Sequence, residues 1–295
     1  MGTTAVCFGE VLWDNLPDGA VAGGAPMNVA IRLASLGNRS GVISAVGDDE
    51  RGEQLLSLLR TRNVDTAFIQ KNSSLPTGEV NVTLDADGIP SYNIVSPSAW
   101  DQITVTEQSL NALRNADAFV FGSLACRNST SKETLLRFLE EKPYAVFDVN
   151  LRAPFYSLPF VDELMQHSDL IKLNDDELRV VCSASGTDNI ETNVRFLSER
   201  TGAEIICVTR GKDGAVVYSD EVFTEHPGFS VPVTDTVGSG DSFLAGFLSS
   251  MHSGNTIARS LEFACALGAM TATQKGANPE FTIDEIQKFI VNNSR

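Results

Sequence analysis

Six short apolar runs recur along the chain, most of them separated from the next by a stretch of helical periodicity. They are Ala5–Gly9, Gly41–Val46, Ala118–Phe121, Ala145–Val149, Leu170–Leu173 and Ile205–Thr209. Runs this short and this continuously apolar read as strands buried on both faces, the condition of a parallel sheet covered by helices. The intervening segments supply those helices. Asn28–Leu36 carries apolar residues at helical spacing and stops at Gly37. Asp49–Arg62 opens on acids and closes on bases, as the helix dipole favours. Ser131–Glu141 opens on a serine cap with Glu133 in its first turn, and Asp188–Arg200 follows the same logic. This alternation predicts an α/β fold built on a doubly wound, mostly parallel sheet flanked by helices. In such sheets ligands gather at the carboxyl ends of the strands.

Two segments break the pattern. Thr77–Val95 alternates like an antiparallel hairpin with its turn at Asp85–Gly88, and residues 10–22 read as extended with a turn at Pro17–Gly19. Together they predict a small β-sheet, formed by about 10–22 and 77–100, that either closes over a site as a lid or merely covers core surface. A second hairpin is expected over Ala215–Phe223, and three helices over Asp241–His252, Thr256–Thr273 and Thr282–Asn292. The 295 residues read as one domain, 1–295, without repeats or a linker. A hydrophobic content of 42% suffices for a large core. The net charge of −16 argues against a nucleic-acid or anionic membrane surface as partner. No apolar run has the length of a membrane span, and the N-terminus lacks the pattern of a signal peptide. Five scattered cysteines read as core residues in a reducing cytoplasm, and three distant histidines offer neither a metal site nor a triad.

Chemistry concentrates in two glycine clusters. Residues 235–247 run Asp-Thr-Val-Gly-Ser-Gly-Asp-Ser-Phe-Leu-Ala-Gly-Phe. The amides of Gly238, Ser239, Gly240 and Asp241 can converge where a helix begins, at its positive end, and the Asp241 carboxylate stands beside that anion hole. The plainer alternative is a helix N-terminus with ordinary caps. The other cluster, Gly23-Gly24-Ala25-Pro26-Met27-Asn28, leads straight into a helix. Its glycines would let a polyhydroxylated ligand approach the backbone while Asn28 donates and accepts hydrogen bonds, or Asn28 is a plain cap.

Taken together, Gly23–Ala30 and Asp235–Asp241 resemble the two signatures of the PfkB (ribokinase-like) carbohydrate kinase family. Further elements fall in the family's order: Phe8-Gly9-Glu10 with Asp14, Gly47-Asp48 with Gly52, Asp148-Val149-Asn150-Leu151-Arg152, Asn174-Asp175-Asp176-Glu177 and Thr209-Arg210-Gly211-Lys212-Asp213-Gly214. The resemblance spans essentially the whole chain. It implies that Asp241 acts as catalytic base on a sugar hydroxyl, with Gly238, Ser239 and Gly240 stabilising the transferring phosphoryl group. It implies a sugar site of Asp14, Gly23, Gly24, Asn28, Asn150 and Arg152, and an ATP site of Asn174, Glu177, Thr209, Gly211 and Gly214. Asn174 and Glu177 would organise Mg2+ through water, although the same pair also reads as a helix cap and a first-turn acid. Asp235 and Val237, with the 275–278 turn, are the matching candidates for K+. The alternative for Arg152 is a structural ion pair with a nearby acid, and Arg210 and Lys212 either contact phosphate or are solvated cations.

Within the family the details lean toward fructose. Gly-Gly-Ala-Pro-x-Asn is the fructokinase-like form of the first signature. Val95 stands where keto-deoxygluconate kinases carry an arginine ahead of the Ser98-Ala99 pair. Residues 77–100 hold no cation for a phosphorylated sugar. Trp100 could pack on a sugar face, in the core or at a dimer contact. Most members have alanine where this chain has Ser239. The alternatives are a kinase for another sugar, keto-deoxygluconate or a nucleoside, a sugar sensor without catalysis, and a serine hydrolase built on Gly240-Asp241-Ser242. The resemblance further implies a homodimer formed through the lid.

Overall fold

The computed structural model describes residues 3–17, 19–84 and 90–293. The expected turn at 85–88, and Asp18 of the turn at 17–19, lie outside them. The parallel core is made of β1 (Thr4–Phe8), β4 (Arg39–Gly47), β5 (Val64–Asp65), β9 (Ala118–Gly122), β10 (Ala145–Asp148), β11 (Leu170–Asn174) and β12 (Ile205–Thr209), in the spatial order β12-β11-β10-β9-β1-β4-β5. A further strand, β6 (Ile69–Asn72), pairs in parallel with β4, while β13 (Ala215–Ser219) and β14 (Val222–His226) extend the other edge as an antiparallel hairpin. All six expected strands form, each within a residue or two of its expected bounds. Their side chains are almost all buried, because helices cover both faces and divide the core into two apolar layers.

One layer packs α1 (Ala25–Ser35), α2 (Glu50–Thr61), α8 (Ser239–His252), α9 (Ile257–Ala272) and α10 (Ile283–Asn293) on the sheet. The other packs α3 (Glu107–Arg114), α4 (Ser129–Leu139), α5 (Leu158–Gln166), α6 (Asp175–Val181) and α7 (Ile190–Thr201). Three expected helix starts are corrected. α1 begins at Ala25, three residues before Asn28, because Pro26 presets the helical φ in its first turn. Asn28 is therefore inside the helix and is not its cap. α4 is capped by Asn128, whose side chain accepts from the Thr130 amide. Ser131 is buried instead, donating to Trp100 O and accepting from Ile103 N. α7 is capped by Asn189 and not by Asp188.

The small sheet orders β3 (Gly19–Gly23), β2 (Leu12–Leu16), β7 (Gly78–Leu84) and β8 (Pro90–Ile94). It is shorter than the expected 77–100, because Ser98–Ile103 turns back into the core. Trp100 is fully buried there, with the Arg127 guanidinium 3.8 Å above its ring, so it packs on no sugar face. Arg127 also binds both Asp101 oxygens and Val95 O, fastening the end of β8. The root of β7 is fastened by Thr77, which donates to Asp49 through amide and hydroxyl and accepts from Gly47 N.

Candidate active site

The carboxyl ends of the parallel strands bring most of the expected residues together. Gly9 and Glu10 follow β1, Asp148 closes β10, and Asn174 and Thr209 close β11 and β12 as register partners. The first turn of α8 lies against β11: a Cβ on Gly240 would come 3.0 Å from Lys172 Nζ. Gly238 caps α8 in the left-handed region, at φ 74°, with Ala277 packed where a side chain would go. Of the four expected amides, that of Ser239 is already used, donating to Thr236 O at 3.2 Å. The Gly238, Gly240 and Asp241 amides have no backbone acceptor among the described residues, as the first turn of a helix dictates. The Ser239 hydroxyl is buried without a hydrogen-bond partner among the described residues.

Asp241 accepts a hydrogen bond from Asn28 Nδ2 at 2.8 Å, and Asn28 Oδ1 accepts one from Asn278 Nδ2 at 2.7 Å. Burial lifts the Asp241 carboxyl to about 6; Asp148 adds to the rise, while Lys172, the Asn28 bond and Arg152 oppose it. Beneath it lies a buried ion pair, Lys172 Nζ to Asp148 Oδ1, at 2.9 Å. Burial alone would lower the Lys172 ammonium, but Asp148, Glu177 and Asp241 together raise it.

Asp14 lies on β2 beside Gly23 and shares Arg152 with Asp241 as a charged neighbour. Burial lifts it to about 6, relieved only by Arg152. Arg152 is exposed and has no ion-pair partner among the described residues, yet its charge reaches Asp14, Glu10 and Asp241. A Cβ on Gly24 would come 2.4 Å from Glu10 O, which holds that position to glycine, and one on Gly23 would come 2.2 Å from Asp14 Oδ2 and displace that carboxylate. Asn150, at φ 37°, holds the left-handed conformation that asparagine tolerates best after glycine, and lines a small cavity with Glu10, Asp148 and Gly122. Glu10 is buried, with Oε1 accepting from Ala25 N at 3.3 Å, and its carboxyl is pushed by burial to about 7.

On the other side, Asn174 and Glu177 form a reciprocal capping box at the start of α6, and Glu177 Oε1 accepts from Leu151 N at 2.9 Å. Gly211 is exposed at φ 55°, while Gly214 is packed so tightly on the 226–228 turn that a Cβ would meet His226 O at 2.0 Å. Arg210 pairs with Glu225 at 3.4 Å. Asp235 holds two loops together, accepting from Val237 N and Gly276 N, each at 3.0 Å, and Val237 is exposed. Ser242 is buried and receives a bond from Arg32 Nε, which removes it as a hydrolytic nucleophile. Glu10 and Asp148 enter the sequence reading only within family motifs and Asn278 only within the K+ turn, none with a role of its own, and Lys172 is missing from it. A lysine inside an otherwise apolar strand was the one local signal.

A family model for pfkB family carbohydrate kinases matches residues 18–283. The chain belongs to this family. It is 31% identical to a fructokinase-2 of Solanum habrochaites over 305 residues, covering 93% of this chain and 92% of the relative. A fructokinase with bound ATP from Xylella fastidiosa superposes with a TM-score of 0.88 at 25% identity over all of both chains. A fructokinase from Vibrio cholerae O395 in fructose-, ADP- and calcium-bound form gives 0.84 at 26% identity, covering 98% of this chain and 99% of that one. A pfkB-family sugar kinase is thus a phosphotransferase acting on a carbohydrate. Among the described residues no helix is long and apolar enough to cross a membrane.

Proposed function

We propose that the chain is an ATP-dependent fructokinase that phosphorylates a primary hydroxyl of fructose. One observation carries the reading: Asp241 stands at the open amides of α8 with its carboxyl lifted to about 6, and Asp14, which no described residue hydrogen-bonds, shares Arg152 with it as a charged neighbour. A base of that strength is ionised at neutral pH and still accepts a proton readily. Asp241 takes the hydroxyl proton as the sugar oxygen attacks the γ-phosphorus. The bond from that phosphorus to the β,γ-bridging oxygen breaks, and ADP leaves. The Gly238, Gly240 and Asp241 amides stabilise the charge on the transferring group, in a reaction governed by position and electrostatics.

Asp14 and Arg152 bind sugar hydroxyls with Asn28 and Asn150, and Gly23 and Gly24 keep the backbone bare beside them. Asn174, Glu177, Thr209, Gly211 and Gly214 shape the nucleotide side. Both Glu177 oxygens are taken by backbone amides, and the described residues contain no cluster of three His, Cys, Asp or Glu fit to hold a metal. That donor set suits Mg2+, which keeps its water shell and binds substrate phosphates: Asn174 and Glu177 would hold it through water, and it would neutralise phosphate charge. The carbonyls of Asp235 and Val237 would hold K+ beside the 275–278 turn. The small sheet closes as a lid and pairs with that of a second copy through its edges. The guanidinium beside Val95, that of Arg127, is committed to Asp101, which leaves a keto-acid carboxylate without it.

The test is ADP release with ATP, Mg2+ and a panel of fructose, other ketoses, pentoses, keto-deoxygluconate and nucleosides. Fructose is expected to give the highest kcat/KM. A higher value for another acceptor reassigns the substrate, and no turnover on any of them contradicts the kinase reading.

A further inference from the structure

The carboxylate of Asp241 can only accept hydrogen bonds, so the Asn28 side chain serves it only if Nδ2 faces it. An amide is two-faced: presenting Nδ2 to Asp241 turns Oδ1 the other way, into a site where Asn28 is buried. That oxygen needs a donor, and Asn278 Nδ2 supplies it at 2.7 Å. We propose that Asn278 is a positioning residue for the base, fixing the orientation of the Asn28 amide and thereby the bond that aims Asp241. The inference rests on the kinase reading for its functional meaning.

The segment carrying Asn278 is fixed relative to the reacting groups. Gly276 N donates to Asp235 Oδ2 at 3.0 Å, Ala277 packs against Gly238, and Pro279 O accepts from Arg32 Nη1 at 2.8 Å. Arg32 in turn donates from Nε to Ser242 Oγ at 3.1 Å, in the first turn of α8. The segment, the amide-bearing turn and the base are thus held as one unit. With an apolar residue at 278, Asn28 either keeps a buried, unpaired Oδ1 or flips and sets that oxygen against the carboxylate. Either outcome weakens the Asp241 bond and disfavours the ionised form. The other charged groups facing Asp241 are Asp148, Lys172, Arg152 and Glu10, and none is altered by the change.

The experiment follows the carboxyl-13C NMR titration of Asp241 in ligand-free protein, with the resonance assigned by its loss in Asp241→Asn. It compares wild type, Asn278→Leu, Asn28→Ala and the double variant, with Asn278→Ala replacing the leucine should that side chain prevent folding. Asn278→Leu is expected to raise the Asp241 midpoint by about one unit. It is expected to add nothing in the Asn28→Ala background, since the effect passes through Asn28. In the sugar-kinase assay below the midpoint, kcat falls about tenfold while KM for ATP stays unchanged. An unmoved midpoint in Asn278→Leu, or an equal shift in both backgrounds, overturns the proposal. Wild-type protein that turns over no sugar would refute the kinase reading separately, leaving the titration to decide the relay.

Discussion

Asp14 and Asp241 are lifted to the same level, about 6, by the same cause, yet they stand on very different supports. Asp241 opens a helix whose residues 242–250 are all buried, and it is bonded to Asn28 above a buried ion pair. Asp14 lies on a four-stranded sheet whose own buried apolar cluster is Leu12, Val80 and Val82. Three such side chains contribute only a few kcal/mol, too little to hold a small sheet by itself. That sheet keeps its place through ties at its root: Thr77 to Asp49 and Gly47, and the Arg51 to Glu79 pair. Asp14 receives no hydrogen bond from a described residue. The difference separates two tasks. A carboxylate with a preset donor is aimed for chemistry, and one without is available to a ligand.

The largest expected effect falls on the aimed carboxylate. Asp241→Asn should lower kcat for fructose by about 10²–10⁴, read as ADP release. Asp14→Asn should act mainly on KM, raising it about tenfold to a hundredfold through lost charge-assisted bonds to hydroxyls, with kcat changed far less. A kcat loss as deep as that of Asp241→Asn would erase the distinction.

The shared lift makes a third prediction, in pH. Turnover needs ionised Asp241, so kcat should fall about tenfold per unit as pH drops below about 6, and kcat/KM more steeply as Asp14 protonates in the same range. Stability should run the other way. Between the unfolded values near 4 and folded values of about 6 for Asp14 and Asp241 and about 7 for Glu10, the folded state binds more protons. Stability is therefore lost as pH rises through that window. Asp241→Asn should recover roughly 2 kcal/mol of stability at pH 8, measured by urea denaturation. The smallest effect is at Ser239, whose hydroxyl is buried with no partner among the described residues and whose amide bond survives substitution. Ser239→Ala should leave kcat within about twofold and raise stability by about 0.5–1 kcal/mol.

Much of this arrangement is legible in the chain. Strands buried on both faces announce themselves as apolar runs, and glycines that abut a helix mark the site. The Asp14–Gly23 and Glu10–Gly24 contacts lie within one short stretch, so the first glycine cluster points to its own function. The relay behind Asp241 joins residues 213 and 250 positions apart, and no local pattern pairs them. Lys172 is hidden differently. It sits in an apolar run, and the partner that makes its burial tolerable lies 24 residues earlier on a neighbouring strand. α3 and α5, of 8 and 9 residues, are too short for helical periodicity to separate them from loop. The Ser131 serine read as a cap because hydroxyls near helix starts usually are, but here tertiary burial used it elsewhere.

The most direct test of the division between aiming and holding is a calorimetric titration of fructose into the Asp241→Asn variant with a non-hydrolysable ATP analogue. The account predicts a dissociation constant within about threefold of wild type, alongside the collapse of turnover. Loss of fructose binding in step with turnover would contradict it, and would make Asp241 a residue that holds the sugar.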